Sequence, residues 1–344
     1  MGKALFPIRL HEARLMMKFS MDKLVMQMGK FITKQSISQY EKGVMLPKRQ
    51  ALTALAQALQ ISEEYFYGDN LKIDEPMLRT TSNNRLSYEQ LEVIEAKLSF
   101  WGEQYFRKEQ EANFHTSFDN PLKDLSISTL DDCIHAADIL RQQWHCGDGP
   151  IVSLLRLLER KGIKILSTQL PDNILGLSTW IDKRHPVIVL DMRTEKTSVE
   201  QIRFTVGHEL GHLLLNLPDE TELSAEKRCN KFASFFLFPR ATFIEEMGRE
   251  HREELTLEEM IDLKEQYGIS VAAQVHEAWD IQMISRQHYD WWYDERINKN
   301  KKEVGWGHYS LPETLGRENR LNSIVEQINN SASGIIREGD KGDK

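Results

Sequence analysis

The sequence is poor in cysteine and has no long apolar run, and both absences narrow the class of protein. Its three cysteines are widely spaced and never form C-x-x-C, which argues against a disulfide framework or a cysteine-bound zinc. No stretch approaches the ~18 uncharged apolar residues of a membrane-spanning helix. The N-terminal stretch contains several charged residues, so it lacks the apolar core of a signal peptide. These residues are Lys3, Arg9, Glu12 and Arg14. We therefore expect a cytoplasmic chain.

The charge of the chain is unevenly distributed along its length. The 344 residues are enough for two domains or three small units, and the formal net charge is −8. Residues 1–68 hold ten Lys and Arg against five Asp and Glu, a net of +5, which leaves −13 for the remainder. A basic end on an acidic protein indicates that this end alone meets a polyanion.

The order of helix, strand and linker patterns divides the chain into four segments. We expect an all-α unit over 1–69, then a linker with a long amphipathic helix over 70–135. Segment 136–290 mixes helices with the two apolar strands "LGLSTWI" and "HPVIVLD", which predicts an α+β domain. A C-terminal extension, 291–344, ends in small polar residues that predict disorder. The fold class is therefore multidomain, mainly α with one α+β domain.

The stretch "LVMQMGKFITKQSISQYEKGVMLP", residues 24–47, predicts two short helices joined by a tight turn. The first helix breaks at Gly29. Thr33 caps a second helix that runs to about Glu41, and Gly43 is its C-terminal glycine. This arrangement is a helix-turn-helix.

The second helix of this pair exposes side chains suited to double-stranded DNA. Ile37 and Tyr40 are predicted to point inward. Glutamine and serine at the start of such a helix can reach base edges, and lysines nearby can neutralise phosphates. The predicted DNA-binding residues are Lys34, Gln35, Ser36, Ser38, Gln39 and Lys42, with further cations at Lys30, Lys48 and Arg49. An ordinary helical bundle with a solvated basic face is the alternative interpretation.

Residues 88–114 predict one long amphipathic helix. Its apolar stripe recurs at helical spacing and consists of Leu91, Ile94, Leu98, Trp101, Tyr105 and Phe106. Such a stripe packs either against a neighbouring domain or against a second copy of the chain, as a dimerisation helix.

The stretch "FTVGHELGHLLLN", residues 204–216, contains two histidines four residues apart in an otherwise apolar run. About 0.03 chance matches to H-E-x-x-H are expected from the residue frequencies, so an accidental match in a buried helix remains an alternative. On a helix, His212 lies about 40° and Glu209 about 100° from His208, opposite the apolar face. Both imidazoles can thus reach one metal ion, with Glu209 beside it as a general base.

Local signals around this motif predict how its helix is built. Ser198 and Gln201 are spaced as a capping box at its start. Gly207 and Gly211 weaken a helix by about 1 kcal/mol each relative to alanine, so we expect another element to approach closely there.

A third metal ligand is expected in the next helix, "SAEKRCNKFASFFLFP", residues 224–239. Ser224 is a predicted cap. Glu226 and Asn230 share one face of that helix, so Glu226 can complete the ligand set and Asn230 can orient a ligand histidine. A solvated charge is the alternative for Glu226. Two imidazoles and one carboxylate would leave zinc an open position for an attacking water.

Other residues carry weaker signals. His276, His288 and His308 are expected to be structural or surface residues. The strand "LGLSTWI" could hold an extended peptide by strand addition.

The N-terminal motif resembles the Cro/C1-type (XRE) repressors across residues 8–68, with "TKQSISQYEKG" and "LTALAQALQISEEYFYG" as the matching stretches. A longer turn around Lys30–Ile32 departs from the shortest version of that family's motif. The resemblance implies a DNA operator as partner, and the two-fold symmetry of operators implies a homodimer.

"RFTVGHELGHLLL" followed by "EKRCNKFASFFLFP" resembles the ImmA/IrrE (M78-type) zinc metallopeptidases, and the likeness runs over about 149–280. It implies a zincin-like α+β fold, Zn²⁺ held by His208, His212 and Glu226, and Glu209 as the general base. Arg228 is a departure, because many relatives carry Glu or Gln there.

The two resemblances together imply a transcriptional regulator that hydrolyses a peptide bond in a partner repressor or antitoxin, as in toxin–antitoxin regulation. A DNA-binding repressor whose peptidase-like domain is a non-catalytic sensor or interaction module is the alternative.

Overall fold

The computed structural model places two compact units, the first formed by 1–74, 84–113 and 181–183 and the second by 75–83, 114–180 and 184–344. The residues described are 5–68, 71–74, 77–80, 86–172, 174–193, 195, 197–217, 221–248 and 251–339. Within these ranges, none of the helices combines the length and the apolar character needed to cross a membrane.

The first unit is all helical. Its elements are α1 (Phe6–Met16), α2 (Met21–Gln27), α3 (Lys34–Glu41), α4 (Arg49–Leu59), a 3₁₀ turn (Glu63–Tyr67) and α5 (Tyr88–Glu111). Ser20 and Thr33 cap α2 and α3 by accepting backbone N–H groups in the first turn. Apolar residues at helical spacing form one core, which includes Leu10, Ala13, Leu24, Ile37, Leu52, Leu55 and Leu59.

Helix α5 belongs to this unit and packs on α1. Ile94, Leu98, Trp101 and Tyr105 of its predicted stripe are buried. The guanidinium of Arg9, fully buried on α1, donates to the Ser99 hydroxyl at 3.3 Å. Of the two interpretations of the stripe, packing inside the chain is the one observed.

The second unit combines helices with one small sheet. Its elements are β1 (Met77–Thr80), α6 (Leu130–Trp144), α7 (Leu154–Arg160), β2 (Lys164–Ser167), β3 (Ile174–Ile181), β4 (His185–Leu190), α8 (Val199–Leu214), α9 (Glu222–Leu237), α10 (Arg240–Glu246), α11 (Leu257–Tyr267), α12 (Val271–Asp280), α13 (Arg286–Trp292) continued by a π turn (Tyr293–Ile297), and α14 (Arg317–Gly339). The predicted fold class, mainly α with one α+β domain, is confirmed.

The sheet has the strand order β1-β3-β4-β2. Strand β1 pairs antiparallel with β3, and β2 pairs parallel with β4. The predicted strands "LGLSTWI" and "HPVIVLD" are β3 and β4, joined through Asp182 and Lys183, which both have a left-handed backbone. The sequence interpretation of the segment ahead of the long amphipathic helix as a linker missed β1, because a four-residue strand shows no periodicity of its own.

A segment after α13, the C-terminal strap (residues 303–317), contacts four helices of the second unit. Glu303 accepts the N–H groups of Val271 and Ala272 at the start of α12 and pairs with Lys264. Glu313 accepts the first N–H groups of α7 and pairs with Arg203 on α8. The strap thus places a carboxylate at the N-terminus of α7 and another at that of α12, where the helix dipole stabilises negative charge.

The far C-terminus differs from the expectation of disorder over 329–344. Helix α14 continues through Gly339, because Ile335 and Ile336 continue the helical spacing of Leu321, Ile324 and Ile328 in the sequence. The predicted disorder of 340–344 lies outside the described residues.

Candidate metal centre and nucleic-acid interface

Helix α8 carries the two histidines on its buried side. Its N-cap is Ser198, whose hydroxyl accepts the N–H of Gln201. The Gln201 side chain accepts from the Thr197 hydroxyl at 2.9 Å, so the reciprocal half of the predicted capping box is replaced by this contact. His208 and Glu209 are fully buried.

Helix α9 lies unusually close to α8 because two glycines face it. A Cβ added at Gly207 would lie 3.2 Å from Ala233, and one at Gly211 would lie 3.2 Å from Cys229. The predicted close approach is confirmed. It brings the face of α9 that carries Glu226 onto the histidines.

His208, His212 and Glu226 form one cluster across the two helices. The atoms that could ligate a metal all lie within 4.8 Å of one another. His212 Nε2 lies 3.1 Å from His208 Nε2 and 3.0 Å from Glu226 Oε1. Glu226 Oε2 lies 3.3 Å from His208 Nε2. The three residues predicted as ligands are thus brought together.

Asn230 orients one of the histidines. Its Oδ1 lies 2.9 Å from His208 Nδ1. Because a carbonyl oxygen only accepts hydrogen bonds, this contact places a ring proton on Nδ1, so that in the neutral ring the lone pair is on Nε2. That lone pair faces the centre of the cluster, which is the arrangement a metal-binding histidine needs.

The cluster favours a positive charge at its centre. Burial lowers the pKa of His212, but hydrogen bonds with Cys229 and Glu226 outweigh it and raise the pKa to about 11. Burial raises the pKa of Glu226, but hydrogen bonds with His208 and His212 outweigh it and lower the pKa to about 2. The carboxylate therefore stays ionised and stabilises the positive charge of the protonated His212 ring beside it.

Glu209 has a partner that the sequence analysis missed. The hydroxyl of Ser178, on β3, donates to Glu209 Oε2 at 2.7 Å, and both residues are fully buried. Ser178 and Thr179 are the only polar residues of β3, so polarity inside a buried strand was the available signal. The pairing itself joins residues 31 positions apart and depends on the fold.

The predicted helix-turn-helix is present at α2 and α3. Helix α2 ends at Gln27, and Gly29 and Lys30 both adopt left-handed backbone conformations. Helix α3 begins directly after its cap, Thr33, and Gly43 follows it with a φ of +69°. Two successive left-handed residues account for the longer turn noted in the sequence.

The side chains predicted to contact DNA differ in solvent exposure. Lys34, Gln35 and Lys42 are exposed, whereas Ser36, Ser38 and Gln39 are half-buried. The additional cations Lys30, Lys48 and Arg49 are exposed. Lys34 pairs with Asp22 at 2.7 Å, and the Ser36 hydroxyl lies 3.0 Å from that of Thr33. Ile37 and Tyr40 are buried as predicted.

Residues 158–278 match the peptidase M78 family model, described as the IrrE N-terminal-like domain, and residues 10–66 match a helix-turn-helix family model. The chain carries an M78 domain. It thus combines a DNA-binding helix-turn-helix with a metallopeptidase-like domain, which confirms both resemblances. Among curated proteins, none matches the chain.

The donor atoms of the M78 domain fit a tetrahedral zinc ion. Zinc–nitrogen and zinc–oxygen bonds of about 2.0–2.1 Å place neighbouring tetrahedral ligands about 3.3 Å apart. The two imidazole nitrogens lie 3.1 Å apart, Glu226 Oε1 lies 3.0 Å from His212 and Glu226 Oε2 lies 3.3 Å from His208, and each separation is close to that value. Two imidazoles and one carboxylate are also the donor set of many catalytic zinc sites.

One local expectation in α9 of the M78 domain needs correction. The helix begins at Glu222 with Thr221 as N-cap, so Ser224 lies inside the first turn and does not cap it. The Ser224 hydroxyl instead accepts from Arg228 at 2.7 Å, and the same guanidinium donates to the Ser128 carbonyl. Arg228 therefore ties α9 to the start of α6, which gives this departure from the family pattern a structural role.

The remaining histidines are placed apart from the cluster. His276 is exposed on α12, with its ring tilted by 52° against that of Trp279, whereas His288 accepts the N–H groups of Leu255 and Trp292. His308 lies in the C-terminal strap. These positions match the structural and surface roles expected for them.

Proposed function

We propose that this protein is a DNA-binding transcriptional regulator whose M78 domain is a zinc-dependent endopeptidase acting on a partner regulator. The observation that supports this is the convergence of His208, His212 and Glu226 beside the buried carboxylate of Glu209. We further propose a cytoplasmic homodimer that binds a DNA operator through α3, and a repressor or antitoxin as the substrate.

His208, His212 and Glu226 would hold the zinc ion, and Asn230 would fix the His208 ring. Bound zinc polarises a carbonyl and makes water more acidic. Glu209 acts as the general base: its carboxylate accepts a proton from the attacking water and returns it to the leaving amine. Ser178, by donating to Oε2, fixes the carboxylate in one orientation.

The helix-turn-helix would bring the M78 domain close to a DNA-bound substrate. Tethering two binding modules raises the effective concentration of one at the site of the other, commonly to the millimolar range. A peptidase delivered in this way needs only weak intrinsic affinity for its target. This supports a narrow, regulatory activity.

Metal content tests the ligand set. We expect about one zinc per purified chain, and a loss of most of it in His208→Ala because three-ligand affinity depends on each donor. His115→Ala, an exposed histidine outside the cluster, is the matched control and should keep its zinc. Less than half an equivalent in the parent, unchanged in His208→Ala, would contradict the metal site.

Substitution of the base tests catalysis separately. Glu209→Gln keeps the shape and the Ser178 contact but removes the proton acceptor, so we expect retained zinc and a loss of cleavage of about 10²-fold or more. The substrates to test are proteins encoded by neighbouring genes, incubated with parent and variant in parallel. Unchanged repression, with no protein cleaved by the parent, would instead favour the non-catalytic module.

A further inference from the structure

Strand β3 would be an edge strand if β1 were absent. The sheet order is β1-β3-β4-β2, so β4 covers one side of β3 and β1 covers the other. An uncovered strand edge presents backbone N–H and C=O groups that an extended peptide can pair with. Within the second unit, β1 therefore occupies a surface to which a peptide could bind by strand addition.

This edge borders the candidate catalytic residues. Ser178 lies on β3 and donates to Glu209, and it is the register partner of Met77 at the start of β1. Two residues earlier, a Cβ on Gly176 would lie 2.6 Å from the Thr205 methyl on α8. Strand β3 thus lies directly against the motif helix, and any peptide paired along it passes beside Glu209.

The pairing of β1 with this edge is short and irregular, and ahead of β1 Ile73 forms an isolated antiparallel bridge with Ile181 at the end of β3. Strand β1 has four residues, and its register with β3 shifts between Arg79 and Thr80. Each backbone hydrogen bond adds only a modest net stabilisation, so a strand this short holds its place through its covalent tether. A longer or more regular partner strand would compete with it.

We propose that β1 is a built-in occupant of the peptide-docking edge of β3, and that an extended segment of a protein substrate pairs with β3 in its place. The chain in this arrangement is self-inhibited, and displacement of β1 opens the site. The inhibitory consequence rests on the proposed peptidase function. The occupancy of the β3 edge by β1 does not depend on that function.

A peptide-binding experiment tests the occupancy. In an antiparallel pair alternate residues bond to the partner strand, so prolines at two successive positions must remove at least one paired N–H. Leu78→Pro/Arg79→Pro would detach β1, and Leu78→Ala/Arg79→Ala, which keeps both N–H groups, is the matched control. All three chains carry Glu209→Gln so that the probe stays intact.

The probe is a fluorescent peptide with the sequence of residues 74–83, followed by anisotropy. We expect the proline variant to bind it about ten-fold or more tightly than the alanine variant or the unsubstituted strand, because the tethered competitor is gone. The same peptide carrying the two prolines should not bind. Equal binding by all three chains, or no binding by any, would overturn the proposal.

Amide hydrogen exchange on the chain with its natural β1 gives a second test, independent of whether the proline variant folds. The β3 amides paired with β1 should exchange about ten-fold or more rapidly than those paired with β4, because a short strand opens locally. Equal protection on both sides of β3 would overturn the proposal. Neither measurement depends on zinc or on cleavage, so the proposed peptidase function can fail while this inference stands.

Discussion

The Glu277 carboxyl illustrates how one buried residue can make the stability of the M78 domain depend on pH. It is buried on α12 near Lys231, Ser234 and Asp280. Burial raises its pKa to about 7, and the nearby ammonium of Lys231 opposes this only in part. Folding therefore favours the protonated carboxyl over the ionised one.

The folded pKa lies above the unfolded value of 4.5, so the folded chain binds this proton more tightly. The stabilisation is fully present below about pH 4.5 and is lost as the pH rises to about 7, a change of about 3 kcal/mol in the free energy of unfolding. We expect urea unfolding at several pH values to show this loss in the parent and not in Glu277→Gln. Glu258→Gln, an exposed carboxyl on α11, should keep the pH dependence of the parent.

For individual residues, the sequence predicted the site best where helical periodicity determines which side chains share a face. His208, His212, Glu226 and Asn230 could be assigned to one site because the spacing i, i+4 places each pair on one helix face. Ser178 could not be assigned, since its contact with the motif comes from packing of a strand on a helix.

Among the elements, α7 and α8 are held by one carboxylate of the C-terminal strap. Glu313 accepts the N–H groups of Leu154 and Leu155 and pairs with the fully buried Arg203. Replacing one member of a buried ion pair leaves the other charge uncompensated, at a cost of about 3–5 kcal/mol. We expect Glu313→Gln to lose about that much unfolding free energy in urea titrations.

An exposed pair provides the control for this prediction. Glu295 and Lys299 lie four residues apart with both side chains more than half exposed. Pairs of this kind contribute about 0.5 kcal/mol or less, so Glu295→Gln should change little. Losses of equal size in the two variants would contradict the structural role of Glu313.

The boundaries of α2 and α3 were predictable because caps and glycines are local signals. The start of α9 was not, since Thr221 and Ser224 are both good caps and the choice depends on what α9 packs against. Strand β1 and the C-terminal strap were also missed. Both derive their order from partners far away in the sequence.

For the whole molecule, the separation of charge predicts where DNA binds. The net of +5 over residues 1–68 contrasts with −13 elsewhere, so phosphates should meet the helix-turn-helix alone. Affinity for duplex DNA should fall as salt rises, and Lys42→Ala should reduce the slope of log affinity against log salt by about 0.9, the share of one phosphate contact. Fluorescence anisotropy at several salt concentrations measures this slope.

The control for the DNA prediction removes the same charge from the acidic unit. Lys302→Ala changes an exposed lysine near the C-terminal strap and should leave the slope unaltered. If both variants lowered the slope equally, DNA binding would extend beyond the helix-turn-helix.

The C-terminal strap also bears on how the chain folds while it is being made. All elements of the first unit have been synthesised by residue 183, whereas Arg203 and Glu200 of α8 contact strap residues roughly 100 positions later. At about 5–20 residues per second, a ribosome needs roughly 5–20 s to cover that distance. During this interval the helix that carries H-E-x-x-H lacks the partners of its buried charges. A nascent chain can therefore have a finished DNA-binding unit several seconds before its metallopeptidase-like unit is complete.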